Sequence, residues 1–427
     1  EHIRVRGQPD ELWTVRTTRH GPLISDLTNP GGPLLALSIA GLMPGDTAAA
    51  GLYALDHAAD VAAAGAAAAQ ISSPNQNLLV ADKNGIGFFV TGRVPVRKAG
   101  DGSFPVPGAG GEYDWTGWAS GNRLPHVVAP ASGRLINAND RVAPADFPVL
   151  LTRDWFGDDR ARRIRAMLDA KPTASLDDFA AMQHDAVSVV AQDLLPLLRK
   201  TNAGDELSRK ALALLADWDG AMAIDRPEPL IFNAWMRAVF NGMLNGVNIN
   251  GRAGRPAVAP WIVFVPSVLL HGSAEDVAQF CGGDCSRLLA DGLRDATELL
   301  ARRFGPEPAG WHWGDVHRAV FSHPLLRLLP ALARFAELSI AAPGDDATVD
   351  RGGLASEGFT DVHGPEYRGV YDLADLDRSR FVMAPGQSGH ILSGLAGSFL
   401  QRWRDGQSVT IGREPAVTGA TLHLTPR

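Results

Sequence analysis

The sequence is poor in cysteine, in long apolar runs and in net positive charge, and each shortage removes a class of protein. Only two of the 427 residues are cysteines, Cys281 and Cys285. Two thiols do not complete a structural zinc site, and C-x3-C is not the C-x2-C spacing of a redox motif. That spacing leaves a local disulfide and two buried free thiols equally open. No apolar stretch reaches the roughly 20 residues that span a bilayer, because polar or charged residues interrupt each one. A net charge of −7 gives no broad electrostatic reason to bind nucleic acid or an anionic membrane. No secretory leader is visible. H-E-x-x-H, G-x-x-x-x-G-K-[ST] and a dinucleotide fingerprint in context are missing as well.

What remains is an ordinary globular composition, 45% hydrophobic and 20% charged, long enough for a sizeable core. The chain opens on Glu1 and at once alternates like a strand (Ile3, Val5), which reads as a processed or truncated product. Leu12, Trp13 and Val15 extend a strand toward His20-Gly21-Pro22. Residues 77–81 and 86–91 flank Asp82-Lys83-Asn84-Gly85, a strong hairpin signal. The alanine-rich residues 58–70 predict a helix. Residues 105–117 are a Gly/Pro/Trp loop, and residues 134–139 read as a further strand.

From residue 159 to about 340 the pattern is helical. Ser175 with Asp178 makes a capping-box start, and Leu176, Phe179, Met182, Val190, Leu194 and Leu197 follow at helical spacing. Further helices fit residues 205–216, 228–244 and 286–304. Strands and turns return from about 346 and end on Leu422 and Leu424. The order predicts an α+β protein: residues 1–158 as the β-rich part of a core, 159–345 as a long helical insertion, and 346–427 as strands returning to the core.

Two local constellations could carry chemistry. Gly386-Gln387-Ser388-Gly389-His390 only superficially resembles a nucleophile turn, since G-x-S-x-G needs its second glycine one position later. A polar turn is the favoured reading. His312, Asp315, His317 and His323 could suggest a metal, but no two of these histidines stand at i, i+4, so packing or surface hydrogen bonding is favoured.

A family resemblance takes the reading further. Arg16-Thr17-Thr18-Arg19-His20-Gly21-Pro22-Leu23-Ile24 resembles the T-x-HGP segment of penicillin acylases. Pro74-Asn75-Gln76-Asn77 with Ala81-Asp82 and Gly85 is similar to their P-x-QN…AD-x-x-G hairpin. Pro105-Val106-Pro107-Gly108 and Asp114-Trp115-Thr116-Gly117 resemble P-x-PG…DW-x-G. Leu135-Ile136-Asn137-Ala138-Asn139-Asp140 resembles the N-x-N segment, and Arg153-Asp154-Trp155 with Arg160-Ala161-Arg162-Arg163-Ile164 the next one. Trp313-Gly314-Asp315 with His317, Phe321-Ser322-His323-Pro324, His363-Gly364 and the residues around Ser388 fit too. Order and spacing over nearly the whole chain carry the match.

The resemblance implies an N-terminal-nucleophile hydrolase, with an αββα sandwich and a helical insertion, that cleaves linear amides through a serine ester. In that family the serine is the first residue of the mature chain, and its own α-amine, with an ordinary pKa near 8, takes the proton. The match sets Glu1 inside the catalytic chain, so the nucleophile, one backbone oxyanion donor and the small chain are expected upstream. Residues 1–427 alone are therefore expected to be inactive. Asn139 matches the oxyanion-hole asparagine: a neutral amide donates to developing negative charge without a competing titration. Arg160 matches the active-site arginine, whose fork holds the asparagine and the nucleophile's surroundings. Arg162, Arg163 and Arg165 read as helix-surface residues, His20 as structural near a cleft, and Trp115, Trp155 and Trp313 as core. No cofactor is required for the chemistry. A structural calcium ion is left open and not predicted, with Asp146 and Asp154 only near the ligand position. The implied partners are a small acyl amide substrate and the rest of the same precursor, in the periplasm. Within the class, an acyl-homoserine-lactone acylase is the alternative; outside it, an inactive fragment or binding module.

Overall fold

In the computed structural model residues 1–28, 31–245, 248–249, 252–253, 261–333, 335–412 and 423–424 are described. The chain divides into two compact units, Glu1–Phe156 and Gly157–Arg427.

In the first unit the hairpin forms where expected. Strands Asn77–Asp82 and Gly85–Val90 pair antiparallel from Asp82↔Gly85 to Asn77↔Val90, leaving Lys83 and Asn84 as the turn. The Asp82 carboxylate closes it by accepting the N–H groups of Asn84 at 2.6 Å and Gly85 at 2.9 Å. Strand His126–Val128 pairs along the other edge of Gly85–Val90. The alanine-rich helix is shorter than its composition suggests, Val61–Ala68, because Asp60 caps it through Ala63 N at 2.7 Å. It lies tightly on the sheet: a Cβ on Gly65 would stand 2.7 Å from the Phe89 ring. A preceding helix, Ala48–Asp56, was not read from the sequence. Strands Arg93–Arg97 and Trp115–Ser120 form a second ribbon over a small core of Val94, Ala119 and Leu124.

Two strand expectations in this unit need correction. The strand from Leu12 toward His20 is broken: Glu11–Leu12 pairs with His2–Ile3, and Thr17–Thr18 turns back on Gly21–Pro22. Gly21 has φ +128°, and a Cβ there would meet Leu37 O at 2.2 Å, so the turn demands glycine. Residues 134–139 are not a strand. Gly133 precedes them at φ +66°, and the Asp140 carboxylate accepts Ala138 N at 3.1 Å, which curls the segment into a turn.

The second unit begins with helices. Ser175 caps Leu176–Gln183, and its Oγ accepts Asp178 N while the Asp178 carboxylate accepts Ser175 N. The helical pattern expected to run through Leu197 is two helices, the second being Val189–Leu198. Between them Val187 N donates to the Asp185 carboxylate, Ser188 N donates to Gly220 O at 2.9 Å, and Ser188 caps the next helix. Helices Glu206–Leu214, Glu228–Met243, Trp261–His271, Ala274–Cys281 and Cys285–Phe304 follow. Their core centres on Trp235, Trp311 and Trp313, each fully buried. Each indole N–H finds a carbonyl: Leu289 at 2.8 Å, Gly305 at 2.9 Å and Gly344 at 3.0 Å. Cys281 and Cys285 form a disulfide, with Cα atoms 4.8 Å apart. Gly282 and Gly283 between them both take positive φ, which lets one helix end and the next start within the bridge.

Strands return earlier than expected, at Arg318–Ser322 and Glu337–Ala341. Asp361–His363 joins Arg318–Ser322 in parallel at Ala319↔Asp361, and Gly353–Leu354 completes a four-stranded sheet. Strands Tyr367–Val370, Arg380–Met383 and Val409–Thr410 form a three-stranded sheet. The alternation expected at Leu422 lies outside the described residues; Leu424 is exposed and not in a strand.

Candidate functional site

Asn139 sits in the turn that replaces the expected strand. Its φ is +68°, one of two non-glycine residues with positive φ among the described residues. A left-handed backbone costs an L-residue roughly 1–2 kcal/mol, least for Asn and Asp. Asn139 is exposed, whereas its neighbour Ala138 is buried, so the core holds the segment through Ala138. Asn137 and Asp140 are half-buried beside it. A cavity of about 440 Å3 opens three residues further on, walled by Val142, Pro144, Phe147 and Val149 with Phe88 and Val127 of the sheet.

Arg160 is half-buried in the first turn of helix Asp159–Asp169, in the second unit. Two of its neighbours are not the simple surface arginines expected. Arg162 bonds Asp158, Asp159 and Asp193, and its guanidinium is held further toward the charged form chiefly by the Asp193 carboxylate at 2.6 Å. Arg163 grips Asp185 with two parallel bonds of 2.8 and 2.6 Å, and that hydrogen bonding raises its pKa. Arg165 is exposed.

Three of the matched segments converge in the first unit. Arg19 Nη2 donates to Gly108 O at 2.7 Å and reaches Asp114 at 3.3 Å, while His20 Nε2 lies 2.9 Å from Gly108 O. Arg19, His20 and Asp114 line another cavity of about 440 Å3 with Ser38, Met43, Trp115 and Trp118. Trp115 is thus a half-buried cavity wall rather than core, packed edge-on against Trp118 at 5.3 Å. Trp155 is half-buried under Arg141, and Trp313 is core as expected. The spacing of the three segments in sequence gave no sign of this meeting.

The other constellations are structural. His317 is fully buried, stacked on Trp313 at 4.5 Å, with Nδ1 2.7 Å from Ala342 O and Nε2 3.2 Å from Gly352 O. His323 accepts two backbone N–H groups at 3.2 Å. Ser388 Oγ accepts His390 N, and the His390 ring accepts Leu392 N, so the two side chains serve their own turn. Among the described residues no group of three or more His, Cys, Asp or Glu could hold a metal ion. Asp146 and Asp154 are exposed.

The sequence model of penicillin amidases matches residues 1–417. The chain belongs to the penicillin amidase family. It is 32% identical to the penicillin acylase 2 proenzyme of Pseudomonas sp. strain SE83, over 91% of this chain and 50% of that one. It is 27% identical to the acyl-homoserine lactone acylase QuiP of Pseudomonas syringae pv. tomato, over 96% of this chain and 53% of that one. The chain thus spans about half the length of these relatives. The fold of a thermostable penicillin G acylase from Alcaligenes faecalis matches with a TM-score of 0.72 at 20% identity, covering 100% of this chain and 81% of that one. The N-terminal-nucleophile hydrolase fold implied by the motifs is the fold of this chain. No helix among the described residues is long and apolar enough to cross a membrane.

Proposed function

We propose that the protein containing these residues hydrolyses linear amides by acyl transfer to a serine lying outside residues 1–427, and that Asn139 stabilises the oxyanion. The observation that carries this reading is the backbone of Asn139. An asparagine held at φ +68° in an exposed turn, in the N-x-N segment of a member of the penicillin amidase family, is a strained residue. A neutral NH2 group presented in this way suits a charge that develops only in the transition state. Arg160 is the second residue proposed for the reaction, as a permanently charged fork near the start of its helix. The chemistry requires no cofactor. The disulfide supports an oxidising home such as the periplasm.

The test uses the complete, processed protein, assayed for acyl release from penicillin G and from an N-acyl-homoserine lactone. Asn139→Gly keeps the positive φ accessible and removes only the amide. It should lower kcat by about 10²–10³-fold, the usual effect of deleting one oxyanion donor. A loss of less than about fivefold would remove Asn139 from the mechanism. The better of the two substrates fixes the acyl amide class.

A further inference from the structure

We propose that the second unit carries a separate binding site for a small organic cation, an aryl- or alkylammonium, between strands Arg318–Ser322 and Asp361–His363. The proposal does not rest on the amide-hydrolase reading. A cavity of about 390 Å3 lies there, within the size range of small-molecule sites. Phe321 and Trp403, edge-to-face at 5.8 Å, make its apolar wall. Asp361 lies in the lining although only 3% of its surface is exposed.

Asp361 Oδ1 accepts His363 N at 3.1 Å. Burial pushes the Asp361 carboxyl above its usual range. His317 pulls the other way, while Asp350 and Asp346 add to the rise. The nearby basic side chains are engaged elsewhere. His317 directs both ring nitrogens to backbone carbonyls, and Arg368 is bound to Asp350 over the face of Trp403.

Oδ2 lies near Gly364. A Cβ at that glycine would stand 3.2 Å from Arg351 O and 3.6 Å from both Asp361 Oδ2 and the Trp403 ring. The absence of a side chain therefore keeps space between the acid and the aromatic wall. At the mouth Glu366 is exposed and adds a second acidic group. An acid at the floor, an acid at the rim and an apolar wall between them select a cation with a hydrocarbon body. The His363-Gly364 motif, which the amide chemistry leaves unused, has its role here.

The test titrates the complete protein with 2-phenylethylammonium and, in parallel, with the neutral isostere 2-phenylethanol, by calorimetry. The ammonium should bind saturably at one site and at least tenfold more tightly than the alcohol. Asp361→Asn should weaken it about tenfold or more, the worth of a charge-assisted contact. Glu366→Lys, at an exposed position, should weaken it about fivefold by placing a like charge at the mouth. Val362→Trp should abolish binding by filling the entrance, where Val362 is 59% exposed. Equal affinity for the alcohol, no saturable binding, or Glu366→Lys and Val362→Trp both binding as the parent overturns the proposal. Those two surface variants decide the matter even if Asp361→Asn does not fold.

Discussion

Asp345 should make the second unit less stable as the pH rises from 4 to 7. The residue is fully buried; its Oδ1 accepts Ala347 N at 2.8 Å, while Oδ2 has no hydrogen-bond partner. Burial, helped by the neighbouring Asp346, pushes the carboxyl from 3.8 to about 7, against the opposing pull of the Ala347 N–H and of the polar groups of Ser188 and Thr348 nearby. A carboxyl with a raised folded-state pKa favours the fold in its protonated form. That contribution is complete below the unfolded pKa and is lost as pH climbs through the folded one. Between pH 4 and 7 the folded chain holds a proton that the unfolded chain has released, so stability falls by about 1.4 kcal/mol per pH unit. The rise of about three units amounts to about 4 kcal/mol in all. Asp345→Asn keeps the acceptor for Ala347 N and removes the titration. Urea unfolding of parent and variant at pH 5, 6, 7 and 8 isolates the effect, because all other titrating groups are shared. The variant's advantage over the parent should grow with pH by several kcal/mol and level off above pH 8. A difference that stays flat from pH 5 to 8 would show that Asp345 is solvated or paired and would refute the reasoning.

Arg163→Lys keeps the charge but loses the two-pronged grip on Asp185, and should cost roughly 2 kcal/mol in urea unfolding at pH 7; a cost as small as that of a surface lysine would contradict the fork. Cys281→Ser with Cys285→Ser opens a very short loop, so unfolding should be easier by only about 2 kcal/mol, and the parent should show the same change after reduction. Ser175→Ala removes one half of a capping box and should cost about 1 kcal/mol, seen as faster hydrogen exchange at Asp178 N.

Local signals were legible in the sequence because their physics is local. The hairpin around Lys83-Asn84, the capping box at Ser175 and the helices beginning at Glu206, Glu228 and Cys285 each depend on residues within a few positions. The failures share an opposite cause. Residues 134–139 alternate like a strand, yet no ladder partner takes them up among the described residues, and a carboxylate one residue beyond bends them instead. The run from Leu176 to Leu197 keeps helical spacing across a break, because Gly220 O and Asp185 capture the backbone from positions distant in sequence or through a side chain.

The sequence by itself determined the family and the residue types proposed for the chemistry, since motif order and spacing survive without coordinates. Only the tertiary structure decided the conformation of Asn139, the meeting of Arg19, His20 and Asp114 with the Gly108 loop, and the burial of Asp345 and Asp361. A φ angle, a desolvated carboxylate and a cavity are properties of neighbours brought together by folding. The same Asp in an exposed turn would titrate normally, and nothing in its sequence context separates the two cases.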